Sequence, residues 1–167
     1  MEREWVAEES VLVDAAAGAV WEAVADPRRM PEWSPELFAV RVRGGRGPAG
    51  EGTRFVGFNR IGWRVWFTTC EVTASVPGEV FAFRVSSFGI PVALWGYRVE
   101  AVGENSTRLT EYWHDLRRDQ RGAGFVSLLG RVFTGVPAER RAEVNRRGMR
   151  RTLERIAAAL SGGVTTE

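Results

Sequence analysis

The chain has 167 residues, 44% of them hydrophobic and 26% charged, with a formal net charge of +2 at pH 7. That length and balance predict one globular domain that buries its core without metal or disulfide staples. No apolar run reaches the ~20 residues of a membrane span, the acidic start around Glu2, Glu4 and Trp5 is unlike a secretory signal, and the single cysteine, Cys70, excludes an intramolecular disulfide and a cysteine-cluster metal site.

A cytoplasmic location is therefore expected. All 23 basic residues are Arg, a usage that codon bias explains more simply than nucleic-acid binding does. One domain is expected over residues 1–161, with a flexible tail at 162–167.

In chain order, Val6, Val11 and Val13 mark a first strand, and Asp14 stands where a helix N-cap would. Ala16, Val20, Trp21 and Val24 recur at helical spacing until Asp26-Pro27 stops the helix, because the residue before Pro avoids the helical region. A short helical turn over Arg28–Trp33 and a strand near Leu37–Val42 follow, then a glycine-rich loop.

From Gly52 the chain reads as consecutive antiparallel hairpins. Strands are expected over Thr53–Arg60, Trp63–Ser75, Val80–Ser86, Val92–Val102 and Thr107–Leu116, joined by turns too short for a crossover. Phe55, Trp66, Phe81, Phe83, Trp95, Tyr97 and Trp113 fall mostly on alternating positions, which predicts a sheet with one aromatic, buried face.

The stretch Arg117–Pro137 mixes glycines with the apolar cluster Phe125, Val126, Leu128, Leu129, Val132 and Phe133, and reads as a short helix folded over the structure, a candidate lid. After Pro137, Met149, Leu153, Ile156 and Leu160 form one stripe of a long helix, with Ala142 and Asn145 extending it towards the helix start.

The segments VADPRRMPEWSPE, GTRFVGFNRIGW, CEVTASVPGEVFAFRV, ALWGYRVEAV and TRLTEYWHD, in that order, resemble the polyketide cyclase/dehydrase and lipid-transport group of the START-like (SRPBCC) superfamily. The resemblance covers the chain from Glu4 to Leu160. It implies an α+β helix-grip fold: a curved antiparallel sheet of about seven strands around a long C-terminal helix, with two short helices after the first strand. It also implies a cavity between sheet and helix, in a group that includes aromatases, cyclases and lipid or hormone carriers, so fold does not fix function.

Asn59, Glu111 and Asn145 lie in phase with apolar inward positions, which a hollow core tolerates better than a dry one. Glu111 in an aromatic cavity would be a usable acid or base; the alternative is a structural pair with Arg64 or Arg98. A slip of one residue in strand phase would instead turn Tyr112 and His114 inward. Glu111 and His114, the only histidine, are thus the candidate catalytic residues, although neither a hydrolase triad nor a histidine-based zinc site can be assembled.

Asn59, Trp66, Phe83, Trp95, Tyr97, Trp113, Asn145 and Met149 are the candidate ligand contacts, with Trp63 a further wall residue. The expected partner is a small hydrophobic or polyketide-like molecule, with no cofactor, metal, nucleic acid or integral membrane association; a homodimer stays open. A cyclase/aromatase-type enzyme is the alternative, and an adaptor docking through the Arg-rich last helix is a third.

Overall fold

A computed structural model describes residues 4–119 and 123–161; the tail expected at 162–167 lies outside the described residues. The elements run β1 (Val6–Val13), α1 (Ala17–Ala25), a 3-10 turn (Pro27–Arg29), α2 (Met30–Trp33), β2 (Leu37–Val42), β3 (Arg54–Ile61), β4 (Arg64–Val76), β5 (Val80–Ser87), β6 (Ile90–Gly103), β7 (Ser106–Asp115), α3 (Ala123–Thr134) and α4 (Arg141–Ser161). The sheet order β1-β7-β6-β5-β4-β3-β2 has every neighbouring pair antiparallel. This is the helix-grip arrangement that the resemblance implies.

Two local expectations give way to other contacts. Ala16, not Asp14, precedes the first turn of α1, and no side chain caps it. Asp26 ends that helix and caps the next turn, its Oδ1 accepting from the Arg28 backbone N–H at 3.0 Å. The connection after β5 is also shorter than expected. Only Phe88-Gly89 turns, and Pro91 lies inside β6 where the register slips at Val85/Ser86, an irregularity that accommodates a residue with no ladder donor.

The sheet curls around α4, which buries Ala142, Asn145, Met149, Thr152, Leu153 and Ile156. At the end where β4 turns into β5 the space is filled. There α1 packs Val20 and Val24 against a core that includes Val13, Phe81, Leu109 and Ile156, and the Trp21 indole donates to the Val80 carbonyl at 2.9 Å. At the other end no element equivalent to α1 enters among the described residues, and a hollow remains.

The outer face of α4 is less free than its arginines suggest. Arg146 pairs with Glu4, Arg150 reaches Glu9 on β1 at 2.9 Å, and the Arg155 guanidinium donates to the Trp33 carbonyl at 3.0 Å. These contacts strap the helix to the strand and turn beside it.

Candidate functional site

The cavity between the concave sheet face and α4 has a volume of about 250 Å³. Strand alternation on β3, β4, β5, β6 and β7 supplies its aromatic walls, Phe55, Trp66, Phe83, Trp95, Tyr97 and Trp113. Phe55 meets Phe83 edge-on at 5.4 Å between ring centroids. Gly57 also faces inward; a Cβ there would lie 2.9 Å from Leu37 Cδ1, so the glycine gives that side chain its place in the wall.

Helix α4 closes the opposite side with Asn145 and Met149. The inner side of α3, with Ser127, Leu129, Gly130 and Thr134, lies across the open end. All the expected ligand contacts, Asn59, Trp66, Phe83, Trp95, Tyr97, Trp113, Asn145 and Met149, line this one cavity together with Glu111.

Glu111 is only 6% exposed. It stands opposite Tyr97 in the β6–β7 register, and the Tyr97 hydroxyl donates to its Oε1 at 3.1 Å. Its Oε2 has no partner among the described residues, and neither has the Asn145 side-chain amide nitrogen. Burial pushes the Glu111 carboxyl up to about 8, only partly offset by the Tyr97 hydrogen bond. The Tyr97 phenol is raised for the same reason, burial first and the neighbouring carboxylate second.

A carboxyl with that midpoint is largely protonated at neutral pH. It then presents an O–H donor rather than a negative charge. The arginines considered as its structural partners are elsewhere: Arg98 pairs with Glu8 at 2.8 Å on the convex side, and Arg64 stacks on Trp63 at the β3–β4 turn.

The other polar groups of the cavity are more fully engaged. The Asn59 side-chain nitrogen lies 3.4 Å from Thr68 Oγ1 and 3.5 Å from the Gly57 carbonyl. Near α3, Arg117 forks onto Asp115 at 2.7 and 2.8 Å, and Arg141 holds Glu36 at 2.9 Å while its Nη1 stays buried and unpartnered. Cys70 is a wall residue whose thiol burial pushes up to about 12, which keeps it from being a thiolate nucleophile at neutral pH. No group of three or more His, Cys, Asp or Glu residues among the described residues could hold a metal ion.

Two expectations fail. His114 is exposed on the convex face, its ring 5.5 Å from that of Tyr112, because alternation places it opposite to Glu111 and Trp113. It cannot serve a reaction in the cavity. Trp63 is no wall either. It sits at the β3–β4 turn, 83% exposed, in the outward phase of Val65 and Phe67 and opposite to that of Trp66.

The arginines at the open end and the unpartnered Arg141 Nη1 were missed in the sequence. Only the Arg-rich composition after Arg117 hinted at them.

Among solved structures, the chain is similar to the ZhuI aromatase/cyclase from Streptomyces sp. R1128, with a TM-score of 0.70 and 17% identity over 96% of each chain. It is similar to the polyketide cyclase-like protein Cgl2372 from Corynebacterium glutamicum, with a TM-score of 0.62 and 26% identity over 100% of each. It also resembles protein CV1439 from Chromobacterium violaceum, with a TM-score of 0.67 and 14% identity over 95% of this chain and 99% of that one. No curated protein matches. The family described as polyketide cyclase/dehydrase and lipid transport matches residues 4–161, and over that span the aromatic sheet, the hollow beneath it and the long closing helix belong together: the chain is a member of this family.

Proposed function

We propose that this protein binds a small, mainly apolar molecule that carries a carbonyl-type acceptor oxygen, and reads that oxygen with Glu111. The observation that carries the reading is the unpartnered Oε2 of a buried Glu111, whose carboxyl burial pushes up to about 8, in a cavity with aromatic side chains along its sheet wall. A buried donor with no partner costs free energy that an acceptor on a ligand recovers, whereas an apolar ligand would leave it unpaid for. Asn145 offers a second such donor from α4.

The test compares 2-acetylnaphthalene with 2-ethylnaphthalene, which has the same shape without the carbonyl, by tryptophan fluorescence titration. The ketone should bind several-fold tighter to the wild type, and Glu111→Leu should abolish the difference. Equal binding of the two in the wild type would refute the reading. Native mass spectrometry of freshly purified protein would then identify a natural ligand directly.

A cyclase-type reading is favoured by the same carboxyl, since an acid with its midpoint near neutrality can give and recover a proton while the walls hold a flexible chain in one fold. Glu111→Gln separates the two. It retains a donor, so a binding protein keeps much of its affinity, while an enzyme using this acid binds and no longer turns over.

A further inference from the structure

The open end of the cavity carries large apolar side chains that cover nothing. Antiparallel register puts the β3–β4 turn, the β5–β6 turn and the end of β7 at the same edge of the sheet. Trp63 projects at the first turn, and Phe88 projects at the second, 67% exposed. Phe88 has φ of 50°, a left-handed conformation that disfavours a bulky residue, yet a Phe occupies this solvent-facing tip.

Helix α3 crosses the same edge. Its Gly130 lies beside Arg117, which follows β7, and a Cβ at Gly135, just beyond the helix, would meet the Arg64 guanidinium at 2.8 Å. The helix lines the cavity with one side. The other presents Phe125, Leu128 and Val132, each more than half exposed and spaced to form one stripe.

The charge around this rim is positive. Arg60, Arg64 and Arg131 hold no carboxylate among the described residues, and Arg64 stacks on the Trp63 ring with 4.7 Å to its centroid. Of the acidic side chains at the rim, Glu36 and Asp115 are matched by Arg141 and Arg117, and the exposed Glu139 has Arg140 next to it in the chain.

We propose that this end is a docking surface for an anionic lipid bilayer. Trp63, Phe88 and the α3 stripe enter the interface, and the three arginines meet the headgroups. Apolar residues on two turn tips and one helix form separate projections rather than a groove that would seat a peptide. Aromatic rings with arginines beside them suit the boundary between acyl chains and headgroups. The attachment is peripheral, since no helix among the described residues is long and apolar enough to cross a membrane. Its consequence is an apolar cavity whose mouth faces the bilayer, so an apolar molecule could pass between them without crossing water. Docking itself requires no particular occupant, and its test uses none.

The experiment is co-sedimentation of the full chain with vesicles of phosphatidylcholine alone and of phosphatidylcholine mixed with phosphatidylglycerol, at low and high salt. Wild type should sediment with the mixed vesicles, less with phosphatidylcholine, and less at high salt. The paired substitution Trp63→Ser with Phe88→Asn, neither residue lining the cavity, should weaken vesicle binding roughly tenfold or more, the scale expected for removing two inserted rings, with an unchanged melting temperature. If that variant proves unstable, Leu128→Ser on the exposed stripe provides the same reading. Failure of wild type to sediment with mixed vesicles, or equal binding by a folded variant, overturns the proposal. So does a concentration-dependent dimer that these substitutions dissociate while vesicles have no effect, because the occupant would then be a second copy of the chain.

Discussion

Tyr97 and Glu111 face each other across β6 and β7, and the phenol hydroxyl spends its hydrogen on one carboxyl oxygen, at 3.1 Å, leaving the other turned to the cavity without a partner. The pair sits at the bottom of an aromatic wall, where burial, more than any neighbouring charge, sets the protonation of the carboxyl. The nearest acidic neighbour in the register, Glu9 on β1 opposite Glu111, is neutralised by Arg150 on α4.

This predicts a specific pH dependence of stability. The folded chain holds the Glu111 proton up to about 8, whereas the unfolded chain releases it near the ordinary glutamate value of 4.5. Between those two values unfolding releases a proton, so stability is greatest at the acidic side of the window, falls as pH rises through it, and levels off above about 8. The slope from this one group is at most about 1.4 kcal/mol per pH unit. Glu111→Gln should remove it, and urea melts of both proteins across the window check this by difference, since all other groups cancel. Parallel curves for the two proteins would place Glu111 in contact with water.

Tyr97→Phe removes the one hydrogen bond that favours the ionised carboxylate. The Glu111 midpoint should rise further, followed by carbon NMR of labelled glutamate side chains. Stability should fall by about 1–3 kcal/mol, the cost of leaving a buried polar group without its partner. A lowered midpoint would show that water enters the space left by the hydroxyl.

Leu153 on α4 is 2% exposed and packs into the filled end rather than the cavity. Leu153→Ala should cost about 2–5 kcal/mol in chemical denaturation. Met149 borders the hollow instead, so Met149→Ala should cost less than Leu153→Ala although both side chains are buried.

Gly96 on β6 lies under the Tyr112 ring on the convex face, where a Cβ would come within 2.3 Å of the phenol end. Gly96→Ala must displace that ring from its present place, where the Arg98 guanidinium lies 5.2 Å from its centroid. The substitution should destabilise by roughly 1–2 kcal/mol, and a Tyr112→Ala background should reduce that loss by at least ~0.5 kcal/mol in a double-mutant cycle.

Period-two alternation made much of this site legible in the sequence. Leu109, Glu111 and Trp113 had to share one face of β7, and His114 then had to take the other, because successive side chains leave a strand in opposite directions. The stripe from Asn145 through Met149 to Ile156 likewise determined the inner side of α4. Hairpin spacing determined the run from β3 to β7, since connections of a few residues leave no other neighbour within reach, whereas the pairing of β1 with β7 joins segments far apart in the chain. Tertiary structure alone decided which inward residues meet packing and which meet a hollow. Phe81 and Phe83 alternate in the same phase, yet Phe81 is fully buried in the core that α1 completes while Phe83 borders the cavity. That division depends on where α1 fills the curled sheet and where α3 does not, a matter of contacts between residues distant in the chain. It is also why an unpartnered carboxyl oxygen became visible only once every neighbour of Glu111 was in place, whereas the outward position of Trp63, three residues before the inward Trp66, was already set by alternation.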